Sequence, residues 1–234
     1  MDNKAPIFVS LDTTSIKKAL SIISALRNLV AGVKIGKEFF TKNGPQGVHT
    51  LTESGIPFFL DLKFHDIPNT VARAIEAASS MQPAMINVHT SGGSDMMKAA
   101  AKAVNNLDSI TKKPILLGVT ILTSLSQEDI KNIGFYNDIS QNVLKLANLA
   151  QECGLDGVVC SPKELTILRK ECGPNFKLVT PGIRLESNKG DDQKRFTTPS
   201  EALDKGADII IIGRPITSAP DPVKATIEII NSLK

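Results

Sequence analysis

Apolar runs with strand-like spacing alternate with helical patterns along the whole chain. Residues 7–12, 33–36, 57–63, 85–90, 115–121, 157–161, 177–183 and 208–214 read as strands. Ser15 caps a helix whose apolar positions Ile16, Leu20, Ile23 and Leu26 recur at helical spacing. Further helical stretches run to about residue 54, from Pro68 to about 80, from Ser94 or Asp95 onward, from about 139 to 153, over 162–170 and over 222–233. A short helical insertion is expected at 124–133. Pro68 falls in a first helical turn, where its missing N–H does no harm. Eight β-then-α units with near-continuous apolar strands imply a parallel sheet covered by helices. Such units close most simply into a single-domain (β/α)8 TIM barrel over residues 1–234. A doubly wound open sheet is the rival, but it usually has fewer strands and would place no special residue at every strand end.

One connection breaks the short-loop pattern. Residues 184–199, from Arg184 to Pro199, are polar with Gly190 inside. A loop of that length in a compact domain is either disordered or functional, and its place after a barrel strand predicts a lid.

Composition narrows the classes of function. A 41% hydrophobic fraction over 234 residues describes a globular chain with a sizeable core. A net charge of +3, with no basic patch and no Trp, gives no footprint for nucleic acid. The start, Met-Asp-Asn-Lys-Ala-Pro, carries no signal-peptide pattern, and no apolar run approaches the ~18 residues that would span a membrane. Cys153, Cys160 and Cys172 are odd in number and lack Cys-x-x-Cys spacing, which speaks against structural zinc and a disulfide framework. A cytoplasmic location is the expectation.

In a barrel of this kind the active site lies at the C-terminal ends of the strands. Those ends carry Asp12, Lys34, Asp61 with Lys63, His89, Thr120 with Thr123 and Ser124, Pro181 to Arg184, and Gly213 with Arg214. Along the third strand Phe59, Asp61 and Lys63 share one face, while Phe58, Leu60 and Leu62 share the other. Lys34, Asp61, Lys63 and Asp66 balance formally to zero. Packed together, each charge keeps its opposite partners ionised, and the array titrates as a coupled unit. An ammonium held beside a fixed carboxylate suits a reaction that makes a carbanion and then protonates it. A structural ion network is the plainer alternative.

Gly182-Ile183-Arg184 and Gly213-Arg214-Pro215-Ile216 place glycine N–H groups and arginines after strands seven and eight, the usual barrel position for phosphate. Arginine suits a dianion through its paired donors. His49, His65 and His89 show no metal-ligand spacing with carboxylates, and no Gly-x-Gly-x-x-Gly or Walker loop occurs. His89 could touch substrate or simply bond within the rim. His65 lies inside the charged motif but is expected to point away from Asp61 and Lys63.

The run Asp61-x-Lys63-x-x-Asp66-Ile-Pro-Asn-Thr70-Val resembles the signature of the orotidine 5'-phosphate decarboxylase family. The shorter Asp-x-Lys-x-x-Asp core is shared with sister sugar-phosphate enzymes, whereas the Ile-Pro-Asn-Thr extension discriminates. Matches continue in family order from Leu11-Asp12 through Leu122-Thr123-Ser124-Leu125 and Thr180-Pro-Gly-Ile-Arg184 to Gly213-Arg214. The resemblance implies decarboxylation of orotidine 5'-phosphate (OMP) to UMP, the last step of UMP synthesis, with neither metal nor organic cofactor. It implies that Asp12 and Lys34 contact the ribose and that Asp61 and Lys63 are catalytic. Asp66 and Thr70 would be contributed across a homodimer interface, completing the partner's site. His89 and Thr123 would lie near the ribose, with Ser124 on the pyrimidine and Pro181 lining the base. Arg184, Gly213 and Arg214 would grip the phosphate, and Gln193 would reach from the lid to phosphate and pyrimidine. Rival readings are a Mg²⁺-dependent sister enzyme acting on a keto-sugar or hexulose phosphate, and a non-catalytic nucleotide-phosphate binding protein on the same barrel.

Overall fold

A computed structural model describes residues 4–108, 112–183 and 197–233. Arg184, Gln193 and most of the expected lid lie outside the described residues. Eight strands pair in parallel in sequence order, and the last closes on the first. They are β1 (Ala5–Ser10), β2 (Val30–Gly36), β3 (Phe58–Phe64), β4 (Met85–His89), β5 (Ile115–Val119), β6 (Gly157–Val159), β7 (Lys177–Thr180) and β8 (Ile209–Ile212). The expected (β/α)8 barrel is therefore the fold.

Helices cover the outside: α1 (Ile16–Leu26), α2 (Lys37–Thr52), α3 (Pro68–Ser79), α4 (Gly93–Asn105), α5 (Gln127–Asn132), α6 (Ile139–Glu152), α7 (Leu165–Cys172), α8 (Pro199–Asp204), α9 (Arg214–Thr217) and α10 (Pro222–Asn231). The Ser15 hydroxyl accepts from the Lys18 N–H and caps α1 as its sequence predicts. Within α2, Gly44 leaves the helical region at φ +59°, and Pro45 starts a second helical segment. Helix α8, which begins at the last residue of the polar segment 184–199, is not among the helices expected from sequence. Its signal is Thr198-Pro199-Ser200-Glu201, in which the Thr198 and Glu201 side chains cap each other's backbone N–H groups.

Period-two alternation separates two cores. Phe8, Phe59, Met85, Leu117, Val179 and Ile211 fill the barrel interior. Phe58, Leu60, Ile86 and Val88 face outward and join the larger core beneath the helices. Two residues further along the same strands, the inward positions become Ser10, Asp61 and Asn87, all buried. The interior thus turns from apolar to polar in a single step toward the mouth. Residues 120–121, 181–183 and 213–214, read from sequence as strand ends, lie beyond the paired strands and form that mouth.

Strands β3 and β4 do not pair evenly. Leu60 faces Ile86 and Phe64 faces Val88, so four steps along β3 are matched by two along β4. Lys63 sits in this irregularity with φ +54°, a left-handed conformation uncommon for a residue with a Cβ.

Candidate active site at the barrel mouth

Four charged side chains from the first three strands meet at the mouth. The Lys63 Nζ donates to Asp61 Oδ1 at 2.5 Å, and the Lys34 Nζ lies 3.2 Å from Asp61 Oδ2. Lys34 also reaches toward Asp12, at 3.9 Å. Each oxygen of Asp61 therefore faces a different ammonium. Ser10 donates its hydroxyl to Asp12 Oδ1 at 2.7 Å and orients that more exposed carboxylate. Burial alone would raise the Asp61 pKa, but Lys34 and Lys63 together with two hydrogen bonds carry it below the usual carboxylate range. A buried ionised carboxylate, clamped by two cations, results.

Asn87, absent from the sequence reading, is fully buried beside them. Its Nδ2 donates to Asp61 Oδ1 at 2.7 Å, and its Oδ1 accepts the Lys63 backbone N–H at 2.7 Å. Period two would have placed Asn87 on the same inner face as Met85 and His89. That was its only signal, because an amide carries no charge to draw attention.

His89 ends β4, half-buried, with its ring centroid 5.5 Å from that of exposed His65. Burial, then the nearby His65, Lys37 and Lys63, push its pKa down to about 4, so the ring is neutral near pH 7. Thr123 and Ser124 stand exposed on the loop after β5. Thr120 is buried and spends its hydroxyl on the Val159 carbonyl, which extends the sheet. Pro181 and Gly182 follow β7, with Gly182 at φ +80°. Gly213 brings the end of β8 against β1: a Cβ there would stand 3.2 Å from Asp12 Oδ2. Arg214 follows it, exposed, at the start of α9.

Among the described residues, neither Asp66 nor Thr70 pairs with this group. Both are exposed, and Asp66 Oδ1 accepts the Ile67 N–H at 2.7 Å. Asp66 lines a shallow depression with His65, Ile67, Pro68, Ser91 and Gly92. In the single chain Asp12, rather than Asp66, is the second carboxylate of the array. A separate cleft of about 310 Å³, lined by Asn105, Lys113, Asp156 and Lys177 among others, opens at the opposite end of the barrel. It is remote from the charged cluster.

The family model described as "Orotidine 5'-phosphate decarboxylase / HUMPS family" matches residues 5–229. The chain belongs to this family. Among the family's curated members, a protein of Idiomarina loihiensis named orotidine 5'-phosphate decarboxylase is 48% identical over 227 residues, covering 97% of each chain. One of the same name from Nitrosococcus oceani is 49% identical over 222 residues, covering 95% of this chain and 94% of its own. A crystal structure of orotidine 5'-phosphate decarboxylase from Lactobacillus acidophilus superposes with a TM-score of 0.86 at 36% identity, covering 98% of this chain and 99% of that one. The family description joins two activities, whereas these relatives all bear the decarboxylase name. Of the family positions expected from sequence, the fold gathers Asp12, Lys34, Asp61 and Lys63 in direct contact and sets His89 and Gly213 around them. Arg184 and Gln193 lie outside the described residues.

Proposed function

We infer that this chain decarboxylates OMP to UMP and CO₂, with Lys63 as the proton donor. The observation that carries the mechanism is the pairing of Lys63 with an ionised, buried Asp61 at the mouth of the barrel. Loss of CO₂ breaks the bond at C6 of the pyrimidine and leaves its electron pair in the ring plane, where the π-system cannot delocalise it. Stabilisation must then come from fixed charges of the protein. The Lys63 ammonium faces the developing carbanion and transfers one proton to C6. Asp61 holds that ammonium in place and lies beside the departing carboxylate. Lys34, between Asp12 and Asp61, orients the ribose with Asp12. His89 and Thr123 border the ribose, Ser124 bonds the pyrimidine, and Pro181 lines the base.

The phosphate lies far from C6. Its contacts to Arg184, Gly213 and Arg214, with Gln193 from a lid over 184–199, serve to close the site and order the charged array. The protein works as a homodimer in which Asp66 and Thr70 complete the partner's site; both are exposed, and Asp66 makes no ion pair with Lys34 or Lys63 among the described residues, which supports this. The three cysteines, buried and unpaired, fit the cytoplasm.

Purified protein mixed with OMP and EDTA tests the reading, by the change in pyrimidine absorbance together with CO₂ release. Turnover that disappears with EDTA would favour the Mg²⁺-dependent sister activity. Lys63→Ala should abolish turnover while UMP binding largely survives; near-normal kcat in that variant would remove the proton-donor role. Arg214→Ala should chiefly raise KM for OMP, and an unchanged KM would remove the phosphate assignment.

A further inference from the structure

We propose that Asn87 is a positioning residue for the decarboxylation, holding both members of the Asp61–Lys63 pair through a single buried amide. The inference rests on the catalytic role given to that pair. Asn87 sits on β4, one inward position above Met85, and none of its surface reaches solvent. A buried amide is costly unless its donor and acceptor are both used. Here the partners fix which end is which. A carboxylate can only accept, so Nδ2 faces Asp61; a backbone N–H can only donate, so Oδ1 faces Lys63.

The second bond explains the local backbone. Where β3 runs four steps against two of β4, the regular ladder is interrupted and the Lys63 N–H uses a side-chain acceptor. The Asn87 carbonyl oxygen supplies one across 24 positions of sequence. It thereby stabilises Lys63 in its left-handed conformation at φ +54°. That conformation sets where the lysine side chain leaves the strand, and so where its ammonium meets Asp61 Oδ1. The same oxygen of Asp61 takes the Asn87 donor. Asp61 is thus faced by Lys34 from β2, Lys63 from its own strand and Asn87 from β4; Asp12 from β1 acts through Lys34, and His89 lies one inward position beyond Asn87. Asn87 bonds Asp61 with direction and without charge. A lysine or carboxylate in its place would upset the balance of the array.

Two near-isosteric variants test this. Asn87→Leu removes donor and acceptor. It should lower kcat on the order of 10²-fold, as expected for a misplaced reacting group, while the UMP affinity stays within about threefold. Asn87→Asp keeps the acceptor for Lys63 and sets a second carboxylate against Asp61. Two such carboxylates share a proton more readily as pH falls, and the shared proton restores the missing donor. The readout is the ratio of variant to parent kcat/KM between about pH 7 and 5, in which titration of the substrate phosphate cancels. The ratio should rise toward acid for Asn87→Asp, while for Asn87→Leu, whose Asp61 still lies between two ammoniums, it stays low throughout. A flat ratio for Asn87→Asp, or a loss in Asn87→Leu confined to thermal stability or KM, would make Asn87 merely structural and overturn the proposal. If Asn87→Leu does not fold, the sign of the Asn87→Asp slope decides alone. Retained turnover in Lys63→Ala would instead sink the proton-donor reading, and the slope for Asn87→Asp would still report whether Asn87 governs Asp61.

Discussion

His89 shows how one side chain links the site to stability. Its folded pKa of about 4 lies below the ordinary histidine value of 6.5, because burial and neighbouring cations disfavour the charged ring. Between those values the unfolded chain binds a proton that the folded chain does not, so stability declines as pH falls from 6.5 to 4. Denaturant midpoints for His89→Gln should depend less on pH across that window than those of the parent; parallel curves would contradict it. Asp61 acts in a lower window. Its depressed pKa gives stability that is present above the usual carboxylate value and lost as pH falls through the folded one. Cys160 is the opposite case of an idle group. Burial pushes its thiol up to about 12, leaving almost no thiolate near neutrality. Thiol reagents should therefore leave Cys160 unlabelled in the native protein and label it after unfolding, as peptide mass mapping would show.

At the scale of elements, the two ends of the barrel are held by different chemistry. The mouth carries the charged array, whereas the opposite end is tied by Arg169 on α7. Its guanidinium donates to the carbonyls of Gly173, Phe176 and Gly206 and to Asp208 Oδ2 at 2.6 Å. Asp208 in turn accepts the Leu178 N–H at 2.8 Å and pairs with Lys177 at 3.2 Å, so α7 is fastened to the starts of β7 and β8. Arg169→Met should lower unfolding free energy by about 2 kcal/mol, the scale of lost hydrogen bonds to a charged group. Its kcat should match the parent's, because the fastening lies far from Lys63. A kcat that fell with stability would show the two ends to be coupled. Strand β6 has a similar constraint on size: a Cβ on Gly157 would collide with the Lys177 carbonyl of β7, which explains a glycine at the start of this strand.

For the whole molecule, the question is whether one chain makes a site. Ile67, 67% exposed, stands beside Asp66 at the rim, a large apolar side chain left in water by the single chain. If two chains share each site, Lys63→Ala and Asp66→Asn are damaged in different halves. A refolded one-to-one mixture should then regain about a quarter of parental activity, since half the dimers would hold one intact site. A mixture no more active than its components would place Asp66 outside catalysis or confine each site to one chain.

Much of this was legible before any coordinates. The barrel followed from eight apolar runs alternating with helical spacing, because strand and helix periods are local and each leaves its own trace. The inward face of β3 followed from the same period, and Asp61 with Lys63 stood out as charges where burial is costly. What required the closed barrel was the company those residues keep. Lys34 and Asp61 are neighbours only because β2 pairs with β3, and Gly213 meets Asp12 only because β8 closes on β1. Asn87 reaches Asp61 from 26 positions away, and nothing local to either residue encodes that contact. That Asp12, and not Asp66, pairs with Lys34 was likewise a matter of tertiary geometry, because the contact joins separate strands while Asp66 stays exposed past the end of β3. Sequence determines which way a side chain faces along its own strand; the register between strands decides which others it meets.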